Sequence, residues 1–256
     1  MTVNKKVVLD AGHGGSDPGA SYYGRQEKRD TLNLTFAVGN ILEKEGVEVG
    51  YTRVDDVYDT PFEKAAIANQ AGADYFVSIH RNAMPTPNTA SGIESLVYEN
   101  SGVPALLAEN INAALQEVGF TNLGVIERPG LVVLRRTEMP AVLVEAGFID
   151  NEADNQFFDR NFQAIAEAIA HGIIATMRQE EEAVPEYYQI QTGAYQNQGL
   201  ANQQLAQLKS QGFPAFMVHE NGYHKIRVGA FLNLDYAVQM EKNLRDYGYN
   251  TFIVKA

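Results

Sequence analysis

Along this chain, short apolar runs alternate with stretches in which apolar side chains recur every three or four positions. Strand-like runs lie near 7–10, 47–52, 75–80 and 141–146. Between and after them, Leu34, Val38, Ile41 and Leu42 mark one helix and residues 104–117 a second. Phe162, Ile165, Ile169, Ile173 and Met177 form the apolar stripe of a third. A period near 3.6 points to amphipathic helix, and a short apolar run bounded by turns points to a strand buried on both faces. Their alternation predicts an α/β unit, a mostly parallel sheet flanked by helices.

The pattern changes near residue 187. An ungapped repeat of 36 residues sets Ile190-Gln191-Thr192-Gly193-Ala194-Tyr195 above Ile226-Arg227-Val228-Gly229-Ala230-Phe231. It continues with Ala201 over Ala237, Leu208 over Leu244, Gly212 over Gly248, Phe216 over Phe252 and Val218 over Val254. Each copy reads strand, helix, glycine turn, strand. Two such βαβ units predict a small α+β domain of ferredoxin-like type, four strands with two helices on one face. Period-2 alternation puts Tyr188 and Ile190 on one side of the first strand and Tyr187, Gln189 and Gln191 on the other, and sets Lys225 and Arg227 opposite Ile226 and Val228. A bare face of that composition is either a solvated surface or a binder of sugar polymers through stacking and hydrogen bonds. Alternation alone favours the solvated surface.

Between the two patterns lies Gln179-Glu180-Glu181-Glu182-Ala183-Val184-Pro185-Glu186, an acidic run with a proline. It reads as a linker over 179–186, dividing a domain 1–178 from a domain 187–256. Charge divides the same way: residues 1–184 carry 27 acidic against 14 basic side chains, and residues 185–256 carry 5 against 6. The overall charge of −12 argues against a nucleic-acid partner, since phosphate backbones are held by Lys and Arg. No apolar run approaches the roughly 20 residues that span a bilayer, and the run at the start is too short for a signal peptide. The absence of cysteine excludes disulfides and thiolate ligands, leaving His, Asp and Glu for any metal.

His13, Glu27, His80 and Glu145 each follow an apolar run or open a turn. Val7-Val8-Leu9-Asp10 runs into Ala11-Gly12-His13-Gly14-Gly15, whose glycines permit a sharp turn beside a bulky ligand. Tyr75-Phe76-Val77-Ser78-Ile79 delivers His80, and Ala141-Val142-Leu143-Val144 delivers Glu145. Ligand sites in open α/β sheets gather beyond the carboxyl ends of the strands. Each histidine alone reads as a hydrogen-bonded rim residue, but two imidazoles and two carboxylates converging on one rim are what a hydrolytic zinc centre requires. His171, His219 and His224 read as structural.

These segments, with Glu27-Lys28, Ser78-Ile79-His80-Arg81-Asn82-Ala83, Leu134-Arg135 and Pro140-Ala141-Val142-Leu143-Val144-Glu145-Ala146-Gly147-Phe148, resemble the type 3 zinc-dependent N-acetylmuramoyl-L-alanine amidases over residues 1 to about 178. Residues 187–256 resemble a SPOR domain, a module implicated in binding peptidoglycan glycan strands stripped of stem peptides. The resemblance implies zinc (Zn2+) held by His13, Glu27 and His80, with Glu145 as the acid/base that cleaves the amide between N-acetylmuramic acid and L-alanine. Arg135 or Asn82 is expected to orient the substrate, and Asp10 to steady a ligand. Gln191, Tyr223 and Lys225 match residues the SPOR family uses on its exposed face. The expected partner is peptidoglycan, as muramoyl peptide and as denuded glycan, with a monomeric enzyme released through lysis or a holin.

Three positions depart from the pattern: Ala11 stands where proline is frequent, Thr31 where asparagine is, and Arg81 where a smaller residue is usual. Of these, Arg81 is expected to alter the charge of the cleft or its peptide preference. Residues 84–91 form a short connection in place of a long autoinhibitory insert. Two other readings remain, a zinc peptidase that cuts within the stem peptide and a wall-binding protein with a structural metal, although the second has no need of a base such as Glu145.

Overall fold

Val7, Val8 and Leu9 are buried from both sides because β1 (Lys6–Ala11) runs through the interior of a six-stranded sheet. The computed structural model describes residues 5–182 and 187–255, and the chain divides into two units, Met1–Glu182 and Ala183–Ala256. In the first, β1 is followed by a small hairpin of β2 (Ser21–Tyr22) and β3 (Arg25–Gln26), then α1 (Glu27–Lys44), β4 (Glu48–Tyr51), α2 (Pro61–Gln70) and β5 (Tyr75–Asn82). Next come β6 (Ile93–Val97), α3 (Gly102–Val118), β7 (Asn122–Glu127), α4 (Val132–Arg135), β8 (Ala141–Phe148), α5 (Glu152–Arg160) and α6 (Phe162–Glu182).

The sheet order is β4-β1-β5-β8-β6-β7. The first four strands are mutually parallel, β6 joins β8 antiparallel, and β7 runs parallel to β6. The mostly parallel sheet is therefore present, with two reversed strands that the hydrophobic pattern does not reveal. Glu94 and Ser95 interrupt the apolar run of β6, and β7 is an edge strand with few buried residues.

Alternation along each strand assigns the two faces. Leu9, Val77, Ile79, Val142 and Val144 pack against α1, α3 and α6 in the larger core. Val8, Phe76, Leu96 and Leu143 face the other way, against Ala68 of α2 and Val133 and Leu134 of α4. Asp10, His80 and Glu145 each lie two residues beyond a member of that second face or in step with it, at the carboxyl ends of three adjacent strands. Glu94 shares the face, two residues from Leu96. Helix α2 is fixed by a capping box: Thr60 Oγ1 accepts from Glu63 N at 3.2 Å, and Glu63 Oε2 accepts from Thr60 N at 2.7 Å, with Pro61 at the first position.

Two expectations are corrected. Arg81 does not reach the cleft. One residue past His80, it points into the opposite face, where it is 2% exposed. Its guanidinium donates to Asp30 at 2.8 Å and Asn155 at 2.9 Å and lies 4.1 Å from the Phe158 ring centre. Burial lowers its pKa to about 10, so it remains charged at neutral pH. The linker also begins later than expected. Helix α6 continues to Glu182, and Tyr75 Oη donates to the Glu180 carboxylate, so residues 179–182 belong to the first unit. Residues 183–186 lie outside the described residues.

The second unit contains β9 (Tyr188–Tyr195), α7 (Gln198–Ser210), β10 (Ala215–Glu220), β11 (Tyr223–Phe231), α8 (Leu234–Asp246) and β12 (Phe252–Lys255). Its antiparallel sheet has the order β10-β11-β9-β12. Ile190, Ile226 and Val228 share one core with Ala201 and Leu208 of α7 and their repeat partners Ala237 and Leu244 of α8. Both helices thus cover one face, as the repeat implies. Among the described residues no helix is long and apolar enough to cross a membrane.

Truncating one partner of a buried ion pair typically costs about 3–5 kcal/mol. Asp30 keeps a second partner in Arg25 at 2.6 Å, so Arg81→Ala is expected to destabilise the first unit by about 3 kcal/mol, the lower end of that range. Urea denaturation of the variant against wild type measures it.

Candidate metal centre and catalytic cleft

Past β1 the backbone turns so tightly that His13 itself adopts φ 60°, followed by Gly14 at 137° and Gly15 at 55°. A non-glycine residue in this region costs energy, and the surrounding contacts hold it there. Arg53 donates through Nε to the Ala11 carbonyl at 3.0 Å and through Nη2 to the carbonyls of Gly12 at 3.0 Å and Lys28 at 2.8 Å. Lys64 Nζ donates to the Ala11 carbonyl at 2.7 Å, and Lys28 Nζ to the Gly15 carbonyl at 2.8 Å. Thr31 donates to the Gly12 carbonyl at 2.8 Å. Three cations and a hydroxyl therefore fix one loop. No β-carbon fits at Gly12, where it would fall 2.5 Å from the His80 ring, or at Gly19, where it would meet Glu27 Oε2 and His13 Cδ2 at 2.6 Å.

Glu27 opens α1 and is 3% exposed. Its Oε2 lies 3.0 Å from His13 Nε2 and accepts from Ala20 N at 2.9 Å. Its Oε1 lies 3.0 Å from His80 Nδ1 and accepts from Arg81 N at 3.0 Å. Burial pushes the Glu27 pKa up, but hydrogen bonds from and charges on the two histidines outweigh it and hold it well below the usual carboxylate range. Burial pulls His13 down, while Glu27 and Asp17 together raise it to about 9. The two imidazoles meet edge to face, with ring centres 4.9 Å apart.

One ligand atom from each of His13, Glu27 and His80 lies within 4.8 Å of the others. Two imidazoles and a carboxylate, with no thiolate, are a donor set that fits zinc and leaves a coordination position open. The partner that steadies His13 is Asp17, whose Oδ2 lies 2.8 Å from His13 Nδ1. A carboxylate on the far nitrogen fixes tautomer and ring orientation. Asp10, expected in that role, instead accepts from Thr52 at 2.6 Å, Ser78 at 2.6 Å and Lys64 at 2.8 Å, beneath the loop.

Glu145 is the strand neighbour of His80 on one side and of Glu94 on the other. Its Oε2 is sealed from solvent and has no hydrogen-bonding partner among the described residues. Burial raises its pKa to about 7. Asn82 donates to Glu94 Oε1 at 2.8 Å, which engages the side chain expected to orient substrate. Arg135 stands exposed at the end of α4. A cavity of about 320 Å³ is lined by His13 and His80 together with Leu131, Val132, Val133, Tyr58 and Pro61. Asp17, Arg53, Lys64 and Glu94 escaped the sequence reading. The Thr60-Pro61 pair with Glu63 marks a helix start just before Lys64, but nothing in that pattern places the helix at the cleft.

In the second unit Gln191, Tyr223 and Lys225 lie on the helix-free face, but not equally exposed. Gln191 is 6% exposed because, on a central strand, it is flanked by Arg227 and Phe252 in the ladders. Lys225 pairs with Glu220 at 2.8 Å, and Glu220 also receives both Arg227 Nη2 contacts, at 2.7 and 2.8 Å. Tyr223 remains 39% exposed.

A parallel-centred α/β sheet with two imidazoles and two carboxylates at its strand ends, open to a walled cavity, defines a hydrolase able to hold a metal. Residues 7–175 match the Amidase_3 family, N-acetylmuramoyl-L-alanine amidase, and the chain belongs to that family. Residues 184–255 match the SPOR domain. Among its relatives, the N-acetylmuramoyl-L-alanine amidase CwlM of Bacillus licheniformis is 34% identical over 222 residues, 84% of this chain and 85% of that protein. The sporulation-specific amidase of Bacillus subtilis is 33% identical, with 83% and 84% covered. The solved amidase of Clostridium difficile 630 aligns with a TM-score of 0.66 at 31% identity, over 69% of this chain and 98% of that one. The CwlV catalytic domain of Bacillus (Paenibacillus) polymyxa aligns with a TM-score of 0.63 at 32% identity, over 68% and 98%.

Below pH 9 the metal-free His13 carries a proton that an incoming metal must displace. Zinc affinity is therefore expected to rise with pH, by up to about tenfold per unit, and to level off above about 9. Calorimetry at pH 7 in buffers of differing ionisation enthalpy should register release of about one proton per zinc bound. The same shift has a stability consequence. Because the folded-state value lies above the usual 6.5, His13 stabilises the metal-free fold below pH 6.5, and this contribution disappears as pH rises through about 9.

Proposed function

We propose that the protein is a zinc-dependent N-acetylmuramoyl-L-alanine amidase that hydrolyses the amide between the muramoyl lactyl group and L-alanine, while its SPOR domain holds denuded glycan. The observation carrying this reading is the His13–Glu27–His80 cluster, with ligand atoms within 4.8 Å of one another, beside the buried and unpartnered Glu145. His13, through Nε2, His80, through Nδ1, and the Glu27 carboxylate would hold the ion. Zinc, when bound, supplies a Lewis acid that makes hydroxide available near neutral pH.

Glu145 moves the protons. As carboxylate it takes one from the attacking water, and as acid it returns that proton to the departing L-alanine nitrogen. Burial pushes Glu145 upward from the usual carboxylate range, toward the pH at which one group can serve as base and then as acid. Asp17 holds the His13 ring through Nδ1, so that Nε2 stays directed at the centre. Leu131, Val132 and Val133 give the cavity beside His13 and His80 an apolar lining, and Tyr58 also lines it. In the second unit, Tyr223 can stack on a sugar, whereas Lys225 and Arg227 are positioned by Glu220.

Glu145→Gln nearly conserves volume and removes the shuttle. It is expected to bind zinc stoichiometrically while losing roughly 10²- to 10⁴-fold in turnover, measured by released amine on purified muropeptide. Retention within about threefold of wild type would place the base elsewhere. Ending the chain after Glu182 is expected to leave hydrolysis of soluble muropeptide nearly intact while slowing digestion of whole sacculi, because the second unit raises local concentration on the wall. Equal rates on sacculi would deny the SPOR domain that role.

A further inference from the structure

The hairpin β10–β11 turns through Asn221 and Gly222, both with positive φ, 53° and 79°. Two consecutive residues of this kind make a type I′ turn, whose flanking residues, here Glu220 and Tyr223, form a hydrogen-bonded pair. Pairs alternate along an antiparallel ladder, so the next pair, His219 and His224, is non-hydrogen-bonded. There the backbones approach most closely and side chains stand nearest each other. The two imidazoles accordingly lie with ring centres 4.7 Å apart, tilted by 50°. His219 is exposed and His224 half-buried, so one edge of the pair faces solvent.

An imidazole bound at about 2.0–2.1 Å through nitrogen has its ring centre about 3.2 Å from the metal. Two such rings on one ion stand about 4.5 Å apart at a right angle and about 5.2 Å at the tetrahedral angle. The separation of 4.7 Å falls inside that window, as does the 4.9 Å of His13 and His80 in the centre described above. We propose that His219 and His224 form a second metal site, a cross-strand bis-imidazole clamp for a divalent transition metal of the zinc, nickel or copper group. Imidazole suits these ions, and carboxylate-loving magnesium and calcium are not expected to compete. No third His, Cys, Asp or Glu ligand joins the pair among the described residues, so water completes the coordination and the metal exchanges readily.

The site has a structural effect across the sheet. His219 and His224 alternate with Glu220, Tyr223 and Lys225 on the same two strands, which puts the clamp on one face and the proposed glycan contacts on the other. A bound ion cross-links the hairpin that presents those contacts.

Equilibrium dialysis of the full chain against zinc tests the assignment. Wild type is expected to take up two equivalents, one tight and one weaker. His219→Gln, at an exposed position that leaves the fold intact, is expected to lose the weaker equivalent and keep the tight one, with amidase activity unchanged. His80→Ala is expected to lose the tight equivalent and keep the weaker. Nitrogen hyperfine structure from two imidazoles in the copper spectrum of His80→Ala, absent when His219→Gln is added, would identify the ligands. A single equivalent in wild type at millimolar free zinc, or two equivalents retained by His219→Gln, overturns the proposal.

Discussion

A carboxylate shut away from water stays ionised only where donors and opposite charge surround it, and Glu27 imposes that condition on the whole first unit. It sits 3% exposed between two imidazoles, with the backbone amides of Ala20 and Arg81 on its oxygens. Those four partners arrive on three elements: His13 on the loop after β1, His80 and Arg81 on β5, Ala20 on the stretch before the small hairpin. Satisfying one anion therefore fixes the spacing of the first loop, the central strand and the start of α1. The glycines at 12 and 19 follow from the same crowding, since each lies where a side chain would displace a ring or the carboxylate itself.

The parallel centre of the sheet was legible because its strands are continuous apolar runs, and the histidines and glutamates were legible because they sit where those runs end. What was missed has a common cause. β6 and β7 lack continuous apolar runs, since Glu94 serves the cleft face and β7 lies at the edge. Arg53 and Lys64 read as ordinary surface cations, yet both are buried beneath the loop that carries His13, bonded to main-chain carbonyls that no pattern of side chains announces. Arg81 was assigned to the cleft by its place beside His80, although strand alternation sends neighbours to opposite faces. Asp10 was expected to steady a ligand and Asp17 was not considered, because only the turn at His13 brings Asp17 onto the ring.

In the second unit the repeat foretold the helices, the strands and the core pairs, yet not the balance of the open face. Glu220 gathers Lys225 and Arg227, and Gln191 is closed in by its lateral neighbours, which leaves Tyr223 as the accessible ring among the expected contacts. A face held by its own ion pairs presents hydrogen-bonding groups in fixed positions while reducing its net positive charge. That suits a neutral polymer better than a phosphate-bearing one.

The tethers of the loop around His13 run through Arg53, Lys64, Lys28 and Thr31, and none of them involves the ion. Small zinc domains whose fold is built by the metal collapse when it leaves. Here the loop that presents His13 is tied by the protein's own cations and a hydroxyl, so its shape rests on the chain and any ion would enter a receptor that folding itself has built.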